Sequence, residues 1–195
     1  MIDVGIAGHG LHGGPSGDLA VVADALGGKL LVAIDGLGHG PAAAEASEAA
    51  ARILRGRPED PLDELFQRCH AGLTRTRGAV MTAARIDGAG GLEWVGIGNV
   101  EARLLRSAAG LRATESPVLF GGVLGHQSRR VRPSRVALER GDVLLLATDG
   151  VRADFSTGAS VMGSAQAIAD RILRTSARGH DDALVIAARW LGRAP

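Results

Sequence analysis

Two Asp-Gly pairs in this sequence each follow an apolar run. Asp35-Gly36 comes after residues 30–34, and Asp149-Gly150 comes after residues 143–148. Apolar runs of this length, bounded by turn residues, predict buried strands. Each pair therefore places one carboxylate at the C-terminal end of a strand, where the chain turns.

Two further acidic positions lie at predicted strand ends. Asp18 comes directly before a predicted strand at residues 19–25, and Asp181-Asp182 lie just before another at residues 183–188. If these ends converge, several carboxylates share a small volume, and like charges that close cannot all stay ionised without a cation. Hard divalent cations prefer oxygen ligands, so such a cluster implies magnesium or manganese.

Simpler interpretations exist for each motif. Asp-Gly after a strand is a favourable turn, and for any one position alone that interpretation is preferred; the four positions together favour the metal site. A nucleotide-phosphate loop is an alternative for residues 35–40, but the glycines are spaced G-x-G-x-G and no Lys-Ser/Thr follows. Asp35 would also place an anion beside the phosphate, so this alternative ranks low.

Other residues with chemical potential stay open at this stage. His39 is either a proton donor near the metal site or a loop histidine packed on the following helix. Arg75 and Arg77 either face an anionic substrate or belong to a solvated helix end. Asn99, between Gly98 and Val100, is expected to be a turn residue. The motifs that zinc sites use are missing around the histidines.

The elements that position the aspartates are predicted from periodicity. Gly27-Gly28 is a hairpin signal between residues 19–25 and 29–35. In an antiparallel hairpin, Asp18 at the start of one strand and Asp35 at the end of the next lie at the same end of the pair. We therefore expect these two carboxylates to be neighbours.

The rest of the chain predicts three helices and a meander of strands. Helices are expected at residues 41–55, 61–76 and 159–175. Further strands are expected at residues 4–9, 79–86, 92–97, 101–106, 111–114, 131–138 and 143–148, with an apolar loop at 117–125. This order is an α+β pattern with a large antiparallel component, not alternating βαβ.

Composition limits the class of protein. The chain has 195 residues, 46% hydrophobic content and a net charge of +1, which fits one domain over residues 1–195 and argues against a broad nucleic-acid surface. No apolar run approaches the roughly 20 residues of a membrane span. The single cysteine, Cys69, fits a reducing compartment and a core position. We expect a cytoplasmic monomer that binds neither nucleic acid nor membranes.

The motifs, taken in order, resemble those of the metal-dependent type 2C protein phosphatases (the PPM family), and more closely its SpoIIE-like branch. The short length and two of the elements resemble the stressosome feedback phosphatases of that branch. The motifs are Ser16-Gly17-Asp18, the stretch AIDGLGHG at residues 33–40, Arg77-Gly78-Ala79, Gly98-Asn99-Val100, Ala147-Thr148-Asp149-Gly150 and Asp181-Asp182-Ala183.

The resemblance implies a fold and a set of site residues. The fold is an α-β-β-α sandwich with two central antiparallel sheets flanked by helices, and two manganese or magnesium ions lie between the sheet ends. Asp35 would bridge both ions, and the Gly36 carbonyl would bind one. Asp149 and Asp181 would complete the second metal and, with Asp35, form the catalytic set. The implied metal site includes two more residues. Asp18 would hold a metal-bound water, and Asp182 stands where many relatives have Asn.

The resemblance also implies a reaction and a partner. A metal-bridging hydroxide would hydrolyse phosphoserine or phosphothreonine on a STAS-domain stressosome or anti-sigma regulatory protein. Two departures matter: Leu37 stands where many eukaryotic members have a histidine, and no arginine precedes Asp18 to hold phosphate. Leaving-group protonation and phosphate binding are therefore unassigned. The alternatives are an inactive binding module on the same fold and a small-molecule phosphoesterase.

Overall fold

The computed structural model describes residues 1–108, 112–157 and 160–193. These residues form eleven strands, three α-helices and a short 3-10 turn at Leu11–Gly13. In chain order the strands and helices are β1 Ile2–His9, β2 Asp18–Ala25, β3 Gly28–Gly36, α1 Pro41–Gly56, α2 Leu62–Gly72, β4 Ala79–Ile86, β5 Gly91–Ile97, β6 Glu101–Arg106, β7 Arg112–Glu115, β8 Leu119–Phe120, β9 Ser134–Ala137, β10 Val143–Ala147, α3 Ala165–Ser176 and β11 Ala183–Trp190.

The strands form two sheets. Sheet 1 has the order β1-β11-β10-β6-β7, and sheet 2 has the order β2-β3-β4-β5-β8, with β9 also paired to β5. The pairings between these strands are antiparallel except that of β8 with β5. Among the described residues, no helix is long and apolar enough to cross a membrane.

Three apolar clusters show that the layers are α-β-β-α, as the resemblance implied. The first lies between sheet 2 and the helices α1 and α2, and includes Leu54 and Leu65. The second lies between the two sheets and includes Trp94 and Leu144. The third lies between sheet 1 and α3 and includes Ile168. Both sheets are thus covered on both faces.

This layering explains the apolar runs that precede the Asp-Gly pairs. In β3, Leu30, Val32 and Ile34 belong to the cluster under the helices, whereas Leu31 and Ala33 belong to the cluster between the sheets. A strand buried on both faces needs apolar residues at every position rather than at alternate ones. β10 has the same character, because all five of its residues are buried.

Two helices are shorter than their periodicity predicts. The predicted helix at 159–175 begins only at Ala165, since Gly163 has a φ of +94° and the Ser164 hydroxyl caps the helix by accepting from the Ala167 N–H at 3.2 Å. Val161 is buried but lies before the helix, and residue 159 lies outside the described residues. Similarly, α2 ends at Gly72 rather than at 76, and beyond it the Thr76 N–H donates to the Leu73 carbonyl at 2.9 Å, which is a three-residue turn rather than an α-helical bond.

The expected loop at 117–125 contains a strand, β8, that runs parallel to β5. Gly96 of β5 allows this close approach, because a Cβ atom there would lie 2.5 Å from the Leu119 side chain. The expected strand at 111–114 is found as β7, one residue later, and pairs with β6. The turn expected at Ala109-Gly110 lies outside the described residues.

A buried ion pair fixes one end of the β6–β10 pair. The Asp142 carboxylate is fully buried, and it accepts from Arg106 at 2.9 Å and from the backbone N–H of Ser107 at 2.7 Å and of Glu139 at 2.9 Å. The register runs from Val143 opposite Leu105 to Ala147 opposite Glu101. This register brings the residues after β10 beside those before β6.

Replacement of Asp142 by alanine is expected to lower the free energy of unfolding by about 3 kcal/mol, because it leaves two backbone N–H groups without an acceptor and removes one of the two carboxylates that pair with Arg106. Asp154→Ala is the control, since that carboxylate is exposed and its one ion pair among the described residues is with Arg152 at 3.3 Å; a change below about 0.5 kcal/mol is expected there. Urea denaturation of both variants measures the difference. Equal losses would contradict this role of Asp142.

Candidate active site

The β2–β3 hairpin places two carboxylates side by side. Asp18 is directly opposite Asp35 in the antiparallel register. The connecting turn is Leu26-Gly27, both with positive φ (51° and 69°), which is the conformation of a tight two-residue hairpin turn. The turn begins one residue earlier than the glycine pair indicated, and the predicted neighbourhood of Asp18 and Asp35 is confirmed.

The ends of β10 and β11 bring three more carboxylates to the same place. Asp149 comes two residues after the end of β10, and Asp181 and Asp182 come directly before β11, which pairs with β10. Gly150 allows this contact, because a Cβ atom there would lie 1.8 Å from the Asp182 carbonyl oxygen. No other residue type fits at that position without moving the backbone.

All five aspartates line one cavity of about 330 Å³. The other lining residues come from four different segments: Leu37, Gly38, His39, Val80, Asn99 and Val123. Gly36 does not line the cavity; it is buried against α1, where a Cβ atom would lie 2.2 Å from the Ala43 carbonyl oxygen. His39 is exposed at the cavity, and its role as proton donor stays a prediction.

Burial and mutual repulsion change the acidity of the facing pair. The pKa of Asp35 is raised to about 8, first by burial and then by the charges of Asp18, Asp149, Asp181 and Asp182. The pKa of Asp18 is raised to about 7, mainly by burial, although a hydrogen bond from Thr148 acts in the opposite direction. Both carboxyls therefore hold protons at pH values where an ordinary aspartate has lost its own.

Two polar residues that sequence reasoning did not assign to the site contact these carboxylates. The Thr148 hydroxyl donates to Asp18 at 2.5 Å and accepts from the Leu184 N–H at 2.9 Å, so it connects sheet 2 to sheet 1. The Asn99 amide donates to Asp149 at 2.8 Å. The register of β6 and β10, continued by two residues, places Asn99 opposite Asp149, and the sequence alone did not predict that these two strands pair.

Asp182 has a different environment from the other four. Asp182 is buried, and each of its two carboxylate oxygens accepts a hydrogen bond from a backbone N–H. The donors are Leu11 and Gly17, both at 2.6 Å. These bonds fasten the loop before Asp18 to the start of β11. Asp181 in turn accepts from the Asp182 N–H at 2.9 Å.

The chemistry of the donor set fits a hard divalent cation. In the described parts of the chain, no group of three or more His, Cys, Asp or Glu side chains already stands in an arrangement that would hold a metal ion. The side chains that line the cavity nevertheless offer carboxylate oxygens, and the charges of the neighbouring aspartates contribute, after burial, to the raised pKa values of Asp18 and Asp35. Positive charge brought between them offsets these charges.

An arginine lies at the edge of the cavity. A Cβ atom on Gly38 would come within 2.7 Å of a terminal guanidinium nitrogen of Arg77, so this cation packs on a residue that lines the cavity. The Arg77 carbonyl is bonded to His126 at 2.9 Å. Arg75 and Arg77 are both exposed, and neither forms an ion pair within the described residues. The position of Arg77 favours the anion-facing interpretation of this residue.

Comparisons with known proteins agree with this fold and site. The family model of Stage II sporulation protein E (SpoIIE) matches residues 27–191. A solved structure from work on the bacterial stressosome, described as a modular system adapted to control secondary messenger signalling, is similar with a TM-score of 0.87 at 29% identity, over 97% of this chain and 100% of the other. No curated protein matches the chain by sequence.

Two solved phosphatase-type structures are also similar. RsbX in complex with magnesium has a TM-score of 0.84 at 19% identity, over 96% of this chain and 94% of its own. The serine/threonine phosphatase PstP/Ppp of Mycobacterium tuberculosis has a TM-score of 0.69 at 20% identity, over 99% of each chain. The fold is thus that of the PPM-type serine/threonine phosphatases, and the match of the family model over most of the sequence shows that this chain belongs to the Stage II sporulation protein E (SpoIIE) family.

Proposed function

We propose that the chain is a metal-dependent protein phosphatase that hydrolyses phosphoserine or phosphothreonine, with residues 1–195 acting as one catalytic domain. The observation that carries the proposal is the cavity in which Asp18 and Asp35 face each other and Asp149 and Asp181 complete the lining. An inactive binding module has no use for four carboxylates that repel one another, because they only destabilise it.

The family resemblance suggests which residues would hold two magnesium or manganese ions. Asp35, whose pKa is affected by the charges of the other four aspartates, would be shared by both ions. The Gly36 carbonyl would be a further ligand, and Asp149 and Asp181 would hold the second ion. Bound there, such ions supply positive charge for a phosphoryl group and lower the pKa of a water molecule. Asp182 holds the loop before Asp18 through its two backbone hydrogen bonds and acts as a positioning residue.

The protein's own groups then orient the reaction. Asp18, fixed by the Thr148 hydroxyl, orients the water that attacks phosphorus. Asn99 holds Asp149 in place through its amide. Arg77 supplies the cation at the edge of the cavity that binds the phosphoryl oxygens, which is the role left unassigned by the missing arginine before Asp18.

The substrate we propose is a phosphorylated STAS-domain regulatory protein of a stressosome or anti-sigma system, in the cytoplasm. The similarity to RsbX and to the stressosome-associated structure supports this class of substrate. The free, buried Cys69 fits a reducing compartment.

Asp35→Asn is expected to lower kcat/KM for p-nitrophenyl phosphate and for a phosphoserine peptide by at least about 100-fold with manganese present, because the central carboxylate is lost. Asp24→Asn is the matched control in the same hairpin, since its side chain is 90% exposed and its one ion pair in the described part of the chain is with Lys29. Phosphate release measures both. If wild type releases no phosphate with metal present, or if Asp35→Asn equals wild type, the proposed function is wrong.

The metal-free protein is expected to lose stability as pH rises from about 4 to about 8. Folding raises the pKa of Asp35 from 3.8 to about 8, so between these values the folded chain holds a proton that the unfolded chain has released. Asp35→Asn removes the contribution of Asp35 and leaves that of Asp18, so its stability relative to wild type should increase with pH. Denaturation at pH 5 to 9 with chelator tests this, and a constant difference would contradict it. Added manganese should favour wild type.

Arg77→Ala is expected to raise KM and to weaken inhibition by inorganic phosphate by about tenfold, because a charge-assisted bond to the anion is lost. The effect on kcat should be smaller. Arg75→Ala is the matched control, an exposed arginine two residues away that, like Arg77, forms no ion pair with any residue that the structure describes. Steady-state kinetics with p-nitrophenyl phosphate separates the two variants, and equal behaviour of both would remove Arg77 from the site.

A further inference from the structure

We propose that Arg129, Arg130 and Arg132, here called the basic surface, bind an acidic segment of the phosphoprotein next to its phosphorylated residue. This inference rests on the proposed function, because it names what distinguishes the substrate. It concerns a surface outside the aspartate cavity. Three observations carry it: the charge of this part of the chain, the two cavities beside Arg129, and the connection to the active site.

Positive charge is concentrated in one part of an almost neutral chain. Residues 101–140 contain eight arginines and three glutamates, whereas the whole chain has a net charge of +1. Arg103, Arg106 and Arg135 of this stretch form ion pairs with nearby carboxylates, and so does Arg130, which lies 3.3 Å from Asp63. Within the described residues, the exposed Arg129 and Arg132 form neither an ion pair nor a side-chain hydrogen bond.

Arg129 lies between two adjacent cavities. One, of about 360 Å³, is formed with α2 and is lined by Asp63, Phe66, Gln67, His70, Ser128, Arg130 and Val131 as well as Arg129. The other, of about 430 Å³, is lined by Gly121, Gly122, Gln127 and Ser128 together with Arg129. Each has room for side chains of a bound peptide. Phe66 and Val131 are core residues with almost no exposed surface, so the exposed arginines supply the main contact to a bound peptide.

A short, fixed segment connects this surface to the active site. Val123 lines the aspartate cavity, and its N–H donates to the Gln127 carbonyl at 2.7 Å. The segment is held on one side by Leu124, which bonds to Ala79 of β4 at 2.9 Å, and on the other by the Gly125 N–H, which donates to His70 of α2 at 3.1 Å.

The connection limits how far the acidic residues are from the phosphate. Val123 and Arg129 are six residues apart, so their Cα atoms are at most about 20 Å apart. An extended peptide covers that distance with about six residues. The acidic side chains that the basic surface binds should therefore lie within about six positions of the phosphorylated residue.

Charge complementarity selects an acidic partner. The aspartate cavity repels an acidic peptide, so attraction to such a substrate at a distance has to come from elsewhere on the molecule. An exposed set of arginines raises the association rate of an oppositely charged partner, and this effect falls steeply with salt. The association rate of a neutral peptide is not raised in this way.

The test uses two fluorescein-labelled phosphoserine peptides that differ only in the six positions on each side of the phosphoserine, which carry Asp and Glu in one and Asn and Gln in the other. Binding is measured by fluorescence anisotropy with manganese on the same two peptides carrying a non-hydrolysable phosphonate in place of the phosphate ester, and hydrolysis of the phosphoserine peptides is measured with manganese. The variant is Arg129→Glu with Arg132→Glu. Its control is Arg52→Glu with Arg174→Glu, which makes the same change of net charge at exposed positions on α1 and α3.

We expect the 129/132 variant to lose about tenfold in affinity and in kcat/KM for the acidic peptide, with no change for the neutral peptide or for p-nitrophenyl phosphate. The 52/174 variant should stay within about twofold of wild type for the acidic peptide. The proposed role of the basic surface would be wrong if the 129/132 variant lost affinity equally for both peptides or lost none. It would also be wrong if the 52/174 control lost as much affinity for the acidic peptide as the 129/132 variant. Because anisotropy needs no turnover, it tests this inference even if hydrolysis, and with it the proposed function, fails.

Discussion

The repulsion between carboxylates at the ends of the central strands is the constraint on which this structure depends. Five aspartates line one cavity, and for two of them burial and mutual charge raise the pKa by several units above the ordinary value. A fold keeps such an arrangement only if other interactions offset its cost. Here the double-sided burial of β3 and β10 stabilises the strands whose ends carry the charges.

The fold relieves the repulsion differently at each carboxylate. Asp182 is neutralised in part by two backbone N–H groups, and in return it fixes the loop before Asp18. Asp18 accepts a hydrogen bond from the Thr148 hydroxyl, and Asp149 accepts one from the Asn99 amide. For Asp35 the described structure gives no side-chain donor. The central carboxylate is thus the group that gains most from a cation, which fits the bridging role that the family resemblance implies for it.

The sequence was sufficient for features that depend on local pattern. That Asp18 and Asp35 lie at the same end of the β2–β3 hairpin followed from a glycine pair and two apolar runs, whereas the exact register depends on a turn that begins one residue earlier than that pair indicated. Thr148 could not be identified in this way, because its partner Asp18 lies 130 residues away on the other sheet. The anchoring of residues 11 and 17 by Asp182 depends in the same way on how the sheets stack. β8 was missed because its two residues pair in parallel with a strand whose glycine permits the approach.

The distribution of charge also links metal binding to substrate binding. A phosphoryl group carries negative charge, so the aspartate cavity repels it when no cation is bound. With cations bound, the same carboxylates hold the positive ions that attract the phosphoryl group. Cation and phosphate must therefore each strengthen the binding of the other by the same factor, because coupling free energies are reciprocal. Arg77 at the cavity edge lies outside this coupling, since its charge does not depend on a bound ion. In the proposed function, Arg77 is thus a fixed cation that would orient the phosphate, whereas the metal ions are exchangeable cations that would decide whether the phosphate enters the cavity.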